Sequence, residues 1–220
     1  MLISLILMVL SIAIGVVTGS RYYYVVSIFL LIISMALLIH KTGRSLKVRE
    51  IVLIASLIAI AVIGRTAFYW LPQFKPVTAI VIISGITLGA ESGMLVGMLS
   101  AFISNFIFSQ GSWTPFQMFA WGLIGLISGY IFYNKKVNKY KLMFFGFLIT
   151  LVLYGTILNF SSALMYSSYI NLKVVLSYMV SGVPFDLIHA MSTAIFLYII
   201  TNPMVQKIER LKVKYNLMQS

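Results

Sequence analysis

Apolar runs at about 1–18, 22–40, 49–70, 77–90, 93–108, 116–133, 142–165 and 174–200 take up most of this 220-residue chain. A run of about 18 apolar residues or more is long enough to cross the hydrocarbon core of a bilayer as a helix. Charged residues make up only 9%, against about 25% in an ordinary soluble domain. Too little charge is available to solvate a globule of this size. A water-soluble enzyme, a disordered chain and a coiled coil are thereby excluded. Membrane-spanning strands would alternate apolar and polar residues over about ten positions. That alternation is absent, so the runs read as helices of an all-α polytopic membrane protein. The first run has no basic leader and no small-residue cleavage site, so it reads as a retained helix rather than a signal peptide.

The formal net charge is +12, which would suit a nucleic-acid binder if the charges shared a face. They do not. Twelve of the sixteen Lys and Arg fall in three short blocks between apolar runs: Lys41, Arg44, Lys47 and Arg49; Lys135, Lys136, Lys139 and Lys141; Lys207, Arg210, Lys212 and Lys214. Short basic loops mark the cytoplasmic side of a membrane protein. Topology therefore explains the charge, and no nucleic-acid partner is expected.

The same rule resolves the region 77–108, which could be one helix of about 48 Å or two shorter ones. Only a split places the first two basic blocks on one side. The turn is expected near Ala90, Glu91 and Ser92, with Glu91 opening the next helix, where a carboxylate suits the helix dipole. The result is eight transmembrane helices with both termini cytoplasmic. Residues 1–40 form an accessory hairpin without acidic residues, 49–200 a six-helix core holding every Trp and the one Asp, and 201–220 a cytoplasmic basic tail.

Gly85, Gly89, Gly93 and Gly97 recur every fourth residue, with Gly122, Gly125 and Gly129 in the next helix. Small residues at this spacing let helix backbones approach closely in lipid. Ala55 and Ala59 make a similar step, which serves either intrachain packing or docking of a partner membrane subunit. Asp186 is the only aspartate. An ionisable group at membrane depth is by default a functional candidate, and His189 lies three residues on, on the same helix face. A structural role, with Asp186 held by His189 or Arg65, is the other reading. Asn105, Gln117 and Asn159 are amides inside helices, where an unpaired amide is costly. With Arg65 and Trp121 they fall in the outer half of the bundle. The loops at 71–76 and 109–115 bring Tyr69, Trp70, Phe74 and Lys75, and Gln110, Trp113 and Thr114, to the same side. An outward-facing polar and aromatic pocket for a small, partly planar ligand follows.

A membrane aspartyl protease needs a second aspartate, a rhomboid-type protease needs a Gly-x-Ser-Gly serine, and a metal site needs more ligands than Asp186 and His189. No cysteine and no Gly-Lys-Ser/Thr phosphate loop is present. Neither a catalytic residue nor a metal or other cofactor is expected.

The stretches Gly64-Arg65, Leu71-Pro72-Gln73-Phe74-Lys75-Pro76, Leu88-Gly89-Ala90-Glu91-Ser92-Gly93, Ser104-Asn105-Phe106 and Gln110-Gly111-Ser112-Trp113-Thr114-Pro115-Phe116-Gln117-Met118 together resemble the S components of energy-coupling factor transporters. These are substrate-capture membrane subunits for vitamins and related micronutrients. The resemblance covers about 49–200. It implies a six-helix bundle with a pocket near the outer face, roofed by outer loops. It implies a transmembrane coupling subunit that meets Ala55 and Ala59, and two cytoplasmic ATPases that supply the energy. The cell membrane of a prokaryote is the implied location. The Gly-x-Trp-Thr-Pro-x-Gln stretch looks most like S components assigned to cobalamin or queuosine-type compounds. Two other classes stay open: a stand-alone transporter using Asp186 and His189 for protons, and an unrecognised membrane enzyme or structural subunit.

Overall fold

A computed structural model describes residues 47–167 and 170–217. The expected hairpin at 1–40, and with it the count of eight helices, lies outside the described residues, as do Lys41 and Arg44. Among the described residues every regular element is helical: α1 (Val48–Ala67), α2 (Val77–Leu88), α3 (Ala90–Phe108), α4 (Thr114–Phe132), α5 (Lys139–Ile149), α6 (Gly155–Tyr166) and α7 (Leu172–Tyr215). A π-helical turn at Thr150–Tyr154 joins α5 and α6 into one continuous rod. The six rods of the expected core are thus present. Five are long and apolar enough to cross a membrane, α2 being the shorter exception. The chain is a multi-pass helical membrane protein.

The region 77–108 is split, as the charge pattern requires. The break falls at Gly89, one residue before the expected turn, and Gly89 has φ 94°, a conformation that glycine adopts without penalty. Glu91 stands exposed in the first turn of α3. All twelve residues of α2 are buried. A helix apolar on every side belongs inside a bundle, and α1, α3, α4 and α7 pack around this one. Its interior hydroxyls do not disturb the core, because Ser84 and Thr87 donate back to the carbonyls of Ile80 (2.8 Å) and Ile83 (2.7 Å).

The glycine stripe is the seam between α2, α3 and α4. A Cβ on Gly93 would meet the backbone of Gly85 and the carbonyl of Gly125; one on Gly97 would meet the Trp121 backbone; one on Gly129 would meet Ala90. The stripe therefore closes the α2–α3 hairpin on itself and seats α4 against it.

The last helix does not stop near residue 200. It runs on to Tyr215 and ends on Asn216 in the left-handed region. At about 1.5 Å per residue its 44 residues span roughly 66 Å, about twice the hydrocarbon thickness. The segment expected as a basic tail is therefore helical through 215. It packs against the bundle end: Lys212 Nζ donates to the Thr87 carbonyl (2.8 Å) and pairs with Glu209 (2.9 Å). Lys47 Nζ donates to the Asn216 carbonyl (3.4 Å). The cation at Thr87 caps the open C-terminal carbonyls of α2. Ile51, Val52, Ile60 and Ile63 on α1, and Leu176, Val180 and Val183 on α7, face outward, as a lipid-facing surface requires.

Candidate functional site

At the bundle end away from Lys212 and Thr87, a cavity of about 640 Å³ opens between the end of α1, the 68–76 loop, α3, α4, the π turn, α6 and α7. Nine of the fourteen residues singled out from sequence line it: Arg65, Tyr69, Lys75, Trp113, Gln117, Trp121, Asn159, Asp186 and His189. The volume lies within the roughly 300–1,000 Å³ typical of small-molecule sites.

One wall is cationic. Arg65, in the last turn of α1, is buried. Its Nη1 donates to Asn105 Oδ1 at 2.7 Å and to Ser104 Oγ. Its guanidinium carbon lies 4.3 Å from the Phe108 ring centroid and 5.1 Å from that of Trp121. Lys75, in the loop, donates to the carbonyls of Phe68 (3.0 Å) and Leu71 (3.1 Å) and lies 5.1 Å from the same Phe108 ring. Partial burial, and then the Arg65 charge, hold the Lys75 ammonium below the ordinary lysine value.

Three expected ligand contacts stand behind this wall instead of on it. Asn105 accepts from Arg65 and passes its own Nδ2–H to Thr114 Oγ1 (3.0 Å). Thr114 donates to Gln110 Oε1 (2.9 Å), and Gln110 Nε2 donates to the Phe102 carbonyl (2.8 Å). The relay fixes the guanidinium, and neither Asn105 nor Gln110 lines the cavity. A buried amide must be paired, and Asn105 finds its partners in Arg65 and Thr114, while Gln110, exposed at the surface, closes the relay on the Phe102 carbonyl. Trp70 and Phe74 also depart from expectation. Trp70 is 87% exposed, which fits an interfacial aromatic. Phe74 packs against Phe68 and Phe196.

The opposite wall carries Asp186, half-buried on α7. Neither His189 nor Arg65 holds it. Asn159 Nδ2 donates to its Oδ2 at 2.6 Å. Two glycines make room for this contact: a Cβ on Gly155 would overlap the Asp186 carboxyl, and one on Gly182 would overlap the Asn159 amide. Gly182→Val is therefore expected to separate the pair. The loss of one hydrogen bond to a charged group is roughly 1.5–3 kcal/mol, read as a lower melting temperature in detergent. An unchanged melting curve would show that the pair contributes nothing.

Between the walls lies an aromatic floor. Trp121 stacks on Tyr154 at 5.6 Å and 28°, and Tyr154 meets the His189 ring edge-on at 4.5 Å. Trp121 Nε1–H donates to Thr78 Oγ1 (2.9 Å), which lies 2.9 Å from His189 Nε2. The Trp121 indole can only donate, so Thr78 Oγ1 accepts from it and links it to His189. His189 meets the hydroxyl through Nε2, and its other ring nitrogen is Nδ1. That Nδ1 is buried without a partner, as is Gln117 Oε1, while Gln117 Nε2 donates to the Tyr154 hydroxyl (3.0 Å).

Tyr154 and Thr78 were not singled out from sequence. Tyr154 reaches the floor from the π turn, where the extra residue shifts the helix register, and no local pattern announces it. Thr78 could have been suspected as the polar residue opening an otherwise apolar run. Gln73 and Ser109, at the rim, have φ of 56° and 75°, positive values that non-glycine residues hold only when surroundings fix them. Among the described residues no three His, Cys, Asp or Glu come together as a metal-ligand set.

A family model described as ECF transporter, substrate-specific component, matches residues 49–201. No curated protein matches the chain. No solved structure matches it either.

Proposed function

The chain belongs to the family of ECF transporter substrate-specific components, and from that premise we propose that it captures a vitamin or related micronutrient in the cavity between Arg65 and Asp186. The observation that carries the reading is a coincidence of extent. The matched stretch 49–201 is the six-rod unit that encloses the cavity at one end. The family's members are transporter subunits that work with a coupling subunit and ATPases.

Orientation follows from charge. Lys47 and Lys212 sit with Thr87 at the end away from the cavity, and the connectivity puts Lys135–Lys141 and Lys207–Lys214 there too. Positive charge favours the cytoplasmic side, so the cavity opens outward, across the cell membrane of a prokaryote. Ala55 and Ala59 are exposed on α1 beside Ser56 and offer the coupling subunit a flat face. Two cytoplasmic ATPases then supply the energy. On size, the cavity suits a planar heterocycle of queuosine type better than cobalamin, which far exceeds a drug-sized ligand.

The test is uptake in cells that express the chain with and without the coupling subunit and ATPases. Micronutrient accumulation that requires all of them supports the reading. Accumulation that ignores their loss and collapses with the proton gradient overturns it in favour of a stand-alone transporter.

A further inference from the structure

We propose that the ligand is bipolar: an aromatic ring with an acid directed at Arg65 and Lys75 and an N–H donor directed at Asp186. The proposal rests on the cavity being the ligand site, and goes on to the chemistry that the site selects.

The cationic wall has no counter-charge of its own. Every hydrogen-bond acceptor of Arg65 and Lys75 is neutral: a hydroxyl, an amide oxygen and two backbone carbonyls. Among the described residues no carboxylate pairs with either. Both guanidinium bonds use Nη1, leaving Nε and Nη2 without a partner among the described residues, beside the cavity. A buried cation with only neutral partners keeps much of its desolvation cost. An acid entering the cavity removes that cost, and a guanidinium fork with two free edges receives an acid well.

The opposite end asks for the reverse. Asp186 Oδ2 accepts from Asn159, while Oδ1 has no partner among the described residues. A carboxylate can only accept, so an acid here would be repelled and an N–H donor held. The two ends are joined by the aromatic floor. The Arg65 guanidinium lies over Trp121, Trp121 stacks on Tyr154, and Gly155, the next residue, lies against the Asp186 carboxyl. A flat ring resting on this floor would lie between the two walls, its polar ends turned to one and to the other. A ligand with only an acid or only a donor would leave one wall unanswered.

The test uses the full chain in nanodiscs and three probes: para-aminobenzoate, which has both groups; benzoate, which lacks the amine; and para-aminobenzamide, which lacks the acid. Calorimetry should show para-aminobenzoate binding roughly tenfold or more tighter than either of the others. Asp186→Asn should erase its advantage over benzoate. Arg65→Gln should erase its advantage over para-aminobenzamide. Lys75→Gln, in the loop, should shrink that second advantage and serves if the Arg65 variant does not fold. Equal binding of the three probes, absence of binding by all of them, or discrimination that survives in the variants would overturn the proposal. Uptake that still requires the coupling subunit and ATPases would then show that the transporter reading stands and only the ligand chemistry fails.

Discussion

Gly125→Leu is expected to leave little folded protein. A Cβ at Gly125 would overlap the backbone carbon and oxygen of Gly93, and backbone cannot rotate away as a side chain can. Ordinary overpacking costs about 1–3 kcal/mol; here α3 and α4 would have to separate along their seam, and the cost should exceed that range. Gly122 is the control in the same helix. Its added Cβ would meet the flexible Met98 and Met94 side chains, so Gly122→Ala should fold. Gel filtration of both variants in mild detergent checks the pair. A monodisperse Gly125→Leu peak with a wild-type melting temperature would mean that the seam is looser than the structure has it.

The second large effect concerns α1. Ala59→Trp should cut energised uptake by roughly tenfold to a hundredfold, the equivalent of 1–3 kcal/mol of overpacking at a helix contact. Ligand binding by the isolated protein should be unchanged. Ala59 is exposed and points away from the cavity, on the face that also carries Ala55 and Ser56. The bulky ring therefore disturbs only what docks there. Ala55→Trp should behave alike. Uptake at the wild-type level in both would mean that the exposed face meets lipid alone.

Much of the architecture was legible because membrane helices must satisfy two strong constraints at once, apolar length and charge placement. The split at 77–108 came from the positions of the basic blocks, and Gly89 then supplies the turn. The four-residue glycine spacing announced a close helix seam, though spacing could not say that Gly93 meets both Gly85 and Gly125. The basic segment after residue 200 is legible as charge but not as helix, because its few apolar residues give no strong pattern; Ile208 and Leu217 are buried and hold it against the bundle.

The cavity was legible only in part, for a physical reason. A polar residue in an apolar helix must find a partner, and sequence does not say whether the partner is a ligand or a neighbour. Asn105, Thr114 and Gln110 found one another and Arg65. Asp186 found Asn159, across two helices, although His189 stood nearer in sequence and on the same face. Periodicity gave the face, while the glycines at 155 and 182 decided the partner.

Native mass spectrometry of the full-length protein, purified from cells grown in rich medium, tests the central claim most directly. One retained small molecule per chain is predicted, with its occupancy lost in Asp186→Asn and Trp113→Ala and kept in Ala59→Trp. A chain that retains nothing, or an adduct equally occupied in all three variants, would contradict a micronutrient site between Arg65 and Asp186.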